Sequence, residues 1–188
     1  MDYLKDNSGF VKEKRGSLQM ETEHKNVRLV NVNTDNFDSI IHLSVADEQK
    51  KYLVENIYSL AEAYSTLAEG RYVQCFGVYA GEIPVGFLMI SYDFQSCCRA
   101  EVPDFIINNY DIWRLMIDKN YQGKGYGKEA VRLALEYIRT FPCGKAECCW
   151  LSYDPENNTA KHLYSLFGFK EKPEWYLEGC EMPAVLML

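Results

Sequence analysis

The chain has 188 residues, 47% hydrophobic and 25% charged, enough for one domain with a buried core. Its net charge of −7 argues against nucleic acid as a partner. No apolar run approaches the ~18 residues of a membrane span, and residues 1–25 lack a signal peptide's apolar centre, so a cytoplasmic protein without membrane partners is expected.

In chain order, residues 1–25 are polar and of mixed charge, and read as a loosely ordered extension before a domain over 26–188. Val27 to Val32 alternates weakly as a first strand. Thr34 or Asp35 can cap a helix running to about Ser44. Ala46 to Glu69 carries Tyr52, Leu53, Ile57, Leu60, Ala61, Tyr64 and Leu67 at helical spacing, giving one or two helices that end near Gly70. Tyr72–Ala80, Gly81-Glu82 and Ile83–Tyr92 read as a hairpin, with Pro84 irregular near the start of its second strand. Asp93 to Tyr110 is a connection of functional-loop length. Ile112–Ile117 is a central strand, Gly125 to about Phe141 a helix, and Ala146–Ser152 the next strand. Asp154-Pro155 resembles an N-cap followed by a first-turn proline, opening a helix to Phe167. Phe169–Glu178 and Pro183–Leu188 close the chain as strands. The pattern is mixed α/β (α+β), with antiparallel hairpins on either side of a strand–helix–strand unit.

Charge is uneven along this order. Residues 35–111 hold twelve acids and four bases, whereas 112–188 hold ten of each. The first of these segments would attract a cationic small molecule, unless its acids serve only as a soluble surface. Seven cysteines without an export signal make a disulfide framework improbable. The adjacent pairs Cys97-Cys98 and Cys148-Cys149 lack metal-ligand spacing, so no metal is expected.

Gln122-Gly123-Lys124-Gly125-Tyr126-Gly127 lies between the central strand and a helix. Alternate glycines let the backbone turn several N–H groups to one point, and the helix N-terminus behind them favours an anion. Asn157 and Tyr164 are seven residues apart, nearly on one helix face and roughly 10 Å apart along its axis. A phosphate cradle, an amide and a phenol in this order fit a long phosphorylated cofactor with chemistry at its far end.

Gln122-x-x-Gly125-x-Gly127, with Asn157-x-x-Ala160-x-x-Leu163-Tyr164-x-x-x-Gly168-Phe169, resembles the GNAT superfamily of acetyl-CoA-dependent N-acetyltransferases. The order of segments from Val27 to the C-terminus is similar to the bacterial spermine/spermidine acetyltransferase branch. The resemblance implies a twisted, mixed but mostly antiparallel sheet of six to seven strands with about four helices. It also implies that the backbone of Leu115, Met116 and Ile117 pairs with the pantetheine arm of acetyl-CoA. The N–H groups from Gln122 to Lys128 would hold the pyrophosphate, with charge from Lys124 and Lys128. Asn157 would bind the pantetheine amide, and Tyr164 would act as general acid to the departing thiolate. Relatives acting on polyamines often carry a carboxylate at the position of Trp113, from which this chain departs. Asp111, two residues earlier on the same strand face, is a candidate base, and so is ordered water; an N-cap, loop or salt-bridge role for Asp111 stays open.

The acceptor reading is a small cationic amine such as spermidine or spermine, with Asp47, Glu48, Glu62 and Asp93 as candidate contacts, and with a homodimer as a candidate assembly. A protein N-terminus, a lysine and an aminoglycoside-type amine are the competing acceptors. Two other classes compete. Gly125-Tyr126-Gly127-Lys128-Glu129-Ala130 fits a dinucleotide fingerprint, although too few residues follow it for a doubly wound domain. A non-catalytic CoA-binding protein is the other, and it would have no need of Tyr164.

Overall fold

Two largely apolar runs build the centre of the fold in the computed structural model, which describes residues 26–93 and 102–188. Strands β2 (Tyr72–Ala80) and β3 (Ile83–Tyr92) form the expected hairpin, turning at Gly81 with φ +60°. Pro84 lies opposite Tyr79, beside a shift in register at Val78/Tyr79. A proline has no N–H to give the ladder, so the irregularity falls where its ring does. The extension over residues 1–25 and the Cys97-Cys98 pair lie outside the described residues.

Strand β1 (Val27–Asn31) flanks β2, and β4 (Tyr110–Ile117) flanks β3. Strands β5 (Cys148–Tyr153), β6 (Lys170–Glu171) and β7 (Met182–Met187) complete an open seven-stranded sheet in the order β1-β2-β3-β4-β5-β7-β6. Every ladder is antiparallel except β4–β5.

Four helices cover the sheet. On one face, α3 (Tyr126–Ile138) buries Tyr126, Ala130, Val131, Ala134, Leu135 and Ile138, and α4 (Asn158–Ser165) buries Tyr164. They share a core with Phe76, Val78, Leu88, Ile90 and Ile112. On the other face, Ile40 of α1 (Phe37–Ile41) and Ala63 of α2 (Asn56–Ala68) pack on Val73, Phe87, Met89 and Met116. Each fully buried side chain of the size of Phe87 or Ile138 contributes about 1.5–3 kcal/mol.

Several sequence expectations are corrected. The first helix starts at Phe37 because Asn33–Asn36 forms a turn, closed by the Asn33 N–H donating to Asn36 Oδ1 at 2.9 Å. It ends at Ile41, and the Ser44 N–H goes instead to Asp118 Oδ2 at 2.9 Å. The face of α2 is inverted: Asn56, Ser59, Ala63 and Thr66 are buried, whereas Ile57, Tyr64 and Leu67 are exposed. The buried polar groups are satisfied locally, with Asn56 Nδ2 donating to Ile40 O and Thr66 Oγ1 to Glu62 O, both at 2.8 Å. Asp154 does not cap a helix through Pro155. Its Oδ1 accepts from the Glu156 N–H at 2.8 Å in a turn, and Asn157 is the cap of α4. The expected strand over Phe169–Glu178 contracts to Lys170–Glu171, because Pro173 opens a 3-10 turn over Pro173–Trp175.

Two irregularities in β4 create the site. Opposite Met89/Ile90 the register skips Trp113, a β-bulge. It leaves Trp113 and Arg114 both facing the α2 side, where Trp113 joins the second core and Arg114 reaches Glu62 at 3.0 Å. The parallel ladder to β5 holds just two pairs, Tyr110↔Cys149 and Asp111↔Trp150. Beyond them the strands part.

Candidate active site

Where β4 and β5 part, the sheet opens into a V, and two connected hollows occupy it. The smaller, about 320 Å³, is lined by Ile112 to Leu115 of β4, by Ser152 and Tyr153 of β5, and by Asn157, Ala160 and Tyr164. The larger, about 700 Å³, includes Asp111, Trp113, Arg114, Trp150, Ser152 and Glu181 in its walls. Trp113, Arg114, Ser152 and Glu181 belong to both walls, so they mark the junction.

The loop after β4 is built to present backbone. Gly123 and Gly125 have φ of +76° and +86°, which a β-carbon opposes, and Gly125 is the N-cap of α3. First-turn N–H groups of a helix have no intrahelical acceptor, so those from Tyr126 to Lys128 face back into the loop. Several side chains of this stretch are engaged within the protein. Gln122 Nε2 donates to Ile117 O and to Gln49 Oε1, both at 2.9 Å, and so fastens the loop to β4 and to the 3-10 turn Asp47–Tyr52. Tyr126 is buried in the core. The Lys124 ammonium lies 5.3 Å from the centre of the Tyr121 ring, and Lys128 is exposed.

Asn157 has two jobs available on one amide. Its Oδ1 accepts from the Ala160 N–H at 3.1 Å and caps α4, while Nδ2 remains as a donor on a residue that lines the smaller hollow. Two turns on, the Tyr164 ring packs against Tyr153 and Phe169 at centroid distances of 5.9 and 5.8 Å. Burial, and then the charges of Glu181 and Cys149, push the Tyr164 phenol above its usual range. It therefore keeps its proton at neutral pH and is present as a donor.

Asp111 stands at the closed end of the V, 2% exposed, accepting from the Ser91 hydroxyl. Burial raises its carboxyl to about 7, against the opposing effects of the Ser91 bond and the Arg114 charge. The thiols of Cys75, Cys148 and Cys149 fit packing rather than attack on a substrate. Burial pushes Cys75 up to about 12 and Cys148 up to about 11, and Cys149 well above its usual value.

The geometry suits acetyl-CoA: a glycine loop at a helix N-terminus for a pyrophosphate, a parted strand edge for an amide-bearing arm, and a phenol in the hollow between the parted strands. The acetyltransferase (GNAT) family profile matches residues 37–169. The chain belongs to this family. As a GNAT enzyme it is an N-acetyltransferase, which moves an acetyl group from acetyl-CoA to an amine. A probable spermine N(1)-acetyltransferase of Bacillus subtilis subsp. natto is 29% identical over 152 residues, covering 79% of this chain and 90% of the relative. A spermine/spermidine N(1)-acetyltransferase of Bacillus subtilis is 28% identical over the same length. Among solved structures, the aminoglycoside acetyltransferase AAC(6')-Ib with coenzyme A aligns with a TM-score of 0.67 at 17% identity, covering 86% of this chain and 94% of that one. The Vibrio cholerae spermidine N-acetyltransferase with CoA and spermine aligns at 0.61 and 19% identity, covering 87% and 96%. These two structures share the GNAT fold with this chain.

Asp47, Glu48, Glu62 and Asp93 do not themselves line either hollow. Asp47 and Glu48 are exposed on the 3-10 turn, with Asp47 paired to Lys50 at 2.6 Å. Glu62 holds Arg114, and Asp93 Oδ1 accepts from the Asn108 N–H at 2.9 Å. The carboxylates that do line the larger hollow are Asp111, Asp154, Glu156 and Glu181. Of these, Asp111 was marked by its place in the sequence of β4. Glu181 carried no local signal, because only the fold of the segment before β7 brings it to the junction. Among the described residues no group of acids, histidines and cysteines could hold a metal, and no helix is long and apolar enough to cross a membrane.

Proposed function

We propose that this GNAT enzyme acetylates a primary amine of a small polyamine, such as spermidine or spermine, by direct transfer within a ternary complex. The observation that carries the reading is the larger hollow, where four carboxylates face two cations that are themselves engaged, Lys51 with Glu156 and Arg114 with Glu62. A cation entering there finds net negative charge, and spermine or spermidine acetylation, for which the two Bacillus relatives are named, agrees with that chemistry.

Acetyl-CoA supplies an activated thioester. The loop N–H groups from Gln122 to Lys128 would bind its pyrophosphate, and the free edge of β4 at Leu115, Met116 and Ile117, with Asn157 Nδ2, would align its amide arm. Asp111 would accept the proton of the reacting ammonium, exposing its lone pair. As the new C–N bond forms and the C–S bond breaks, Tyr164 would give its proton to the departing sulfur. No cysteine takes part.

A base that titrates near 7 sets the pH response. Below that value Asp111 is protonated and cannot take a proton, so kcat at saturating amine rises with pH and levels off above about 7. Asp111→Asn should remove this rise and lower the plateau; an unchanged pH profile would dismiss Asp111 as the base. The acceptor itself is tested by thiol release from acetyl-CoA across polyamines, aminoglycosides, amino acids and peptides. Faster turnover of a neutral or anionic amine than of spermidine would overturn the polyamine reading.

A further inference from the structure

The junction of the two hollows holds a carboxylate that the mechanism above does not use. Glu181 lies just before β7, lines both hollows, and has an oxygen that accepts a hydrogen bond from the Ser152 hydroxyl on β5. It is near enough to Tyr164 to act on the phenol through its charge. Among the described residues no cation is paired with it, whereas Glu156 pairs with Lys51 and Glu62 with Arg114.

Its spacing from Asp111 has chemical meaning. Asp111 sits opposite Trp150, and Ser152 follows two residues later on the same side of β5. At the rise of an extended strand, Trp150 and Ser152 stand about 6–7 Å apart along β5, so the Ser152–Glu181 pair lies further along the opening than Asp111 does. A span of this order separates nitrogens joined by four methylenes in an extended chain. Arg114 occupies the α2 side of the same opening with its guanidinium over the Trp113 ring and its charge offset by Glu62, so it repels an entering ammonium less than a free cation would.

We infer that Glu181, oriented by Ser152, holds a second, non-reacting ammonium of the acceptor while the reacting nitrogen lies nearer Asp111, and so selects amines that carry two charges a short chain apart. Glu181 is a substrate-binding residue and Ser152 its positioning residue; neither exchanges a proton with the reacting atoms. The inference rests on the polyamine reading.

The test compares spermidine with butylamine, which lacks a second charge, on wild-type enzyme, Glu181→Gln and Ser152→Ala. Because Glu181 is exposed and its charge partly screened, Glu181→Gln should lower the spermidine-to-butylamine ratio of kcat/KM by about twofold to fivefold. The loss should sit in KM for spermidine and not in kcat, and Ser152→Ala should move the ratio the same way by less. Glu181 is exposed at the rim, so its replacement leaves the core intact. An unchanged ratio in Glu181→Gln, or a loss confined to kcat, overturns the inference while leaving polyamine acetylation in place. Wild-type enzyme that turns over butylamine but not spermidine overturns the polyamine reading itself.

Discussion

Replacing Tyr164 with phenylalanine should lower kcat by about 10²–10⁴-fold, the usual worth of a general acid, while acetyl-CoA binds as before. The substitution removes one oxygen and keeps the ring that packs on Tyr153 and Phe169, so the core survives. The phenol lines the smaller hollow and is held in its protonated form by burial. Its loss therefore falls on the step in which the sulfur leaves. Single-turnover measurements separate this from product release, and a loss under about threefold in the chemical step would reduce Tyr164 to a packing residue.

Gly125→Val should abolish acetyl-CoA binding. Two effects act together at this position. A β-branched side chain opposes the +86° φ of Gly125, and its methyl groups would stand where the first-turn N–H groups of α3 meet an anion. Circular dichroism and the melting temperature report whether the fold is kept, and calorimetry with acetyl-CoA reports the site. A folded variant with unchanged affinity would show that the pyrophosphate does not rest on this loop.

Much of this architecture could be read from short stretches of chain. The Tyr72–Tyr92 hairpin is specified by local alternation and one tight turn. The glycine loop and the Asn157–Tyr164 spacing are likewise local, because a helix converts a seven-residue interval into a shared face. Legibility ended where remote segments meet. The polar side of α2 can be buried because Asn56 donates to Ile40 O of α1 and Thr66 to Glu62 O of its own helix, which no periodicity count registers. A segmental charge count picked Asp47, Glu48, Glu62 and Asp93, yet Glu62 is committed to Arg114 and Asp47 to Lys50. Glu181 enters only through the path of the chain between Trp175 and β7.

The narrow seam between β4 and β5 also bears on how the chain can be divided. Four strands come from residues 27–117 and three from residues 148–187, and two residue pairs join these blocks in the sheet. A cut within residues 142–145, an irregular stretch between α3 and β5, would leave each block its own complete ladders. The severed pieces would then rejoin through helix packing, with the coenzyme acting as a clasp across the gap. Fragment complementation would thus become a gauge of coenzyme concentration, since a ligand that binds only the assembled form draws the equilibrium towards it.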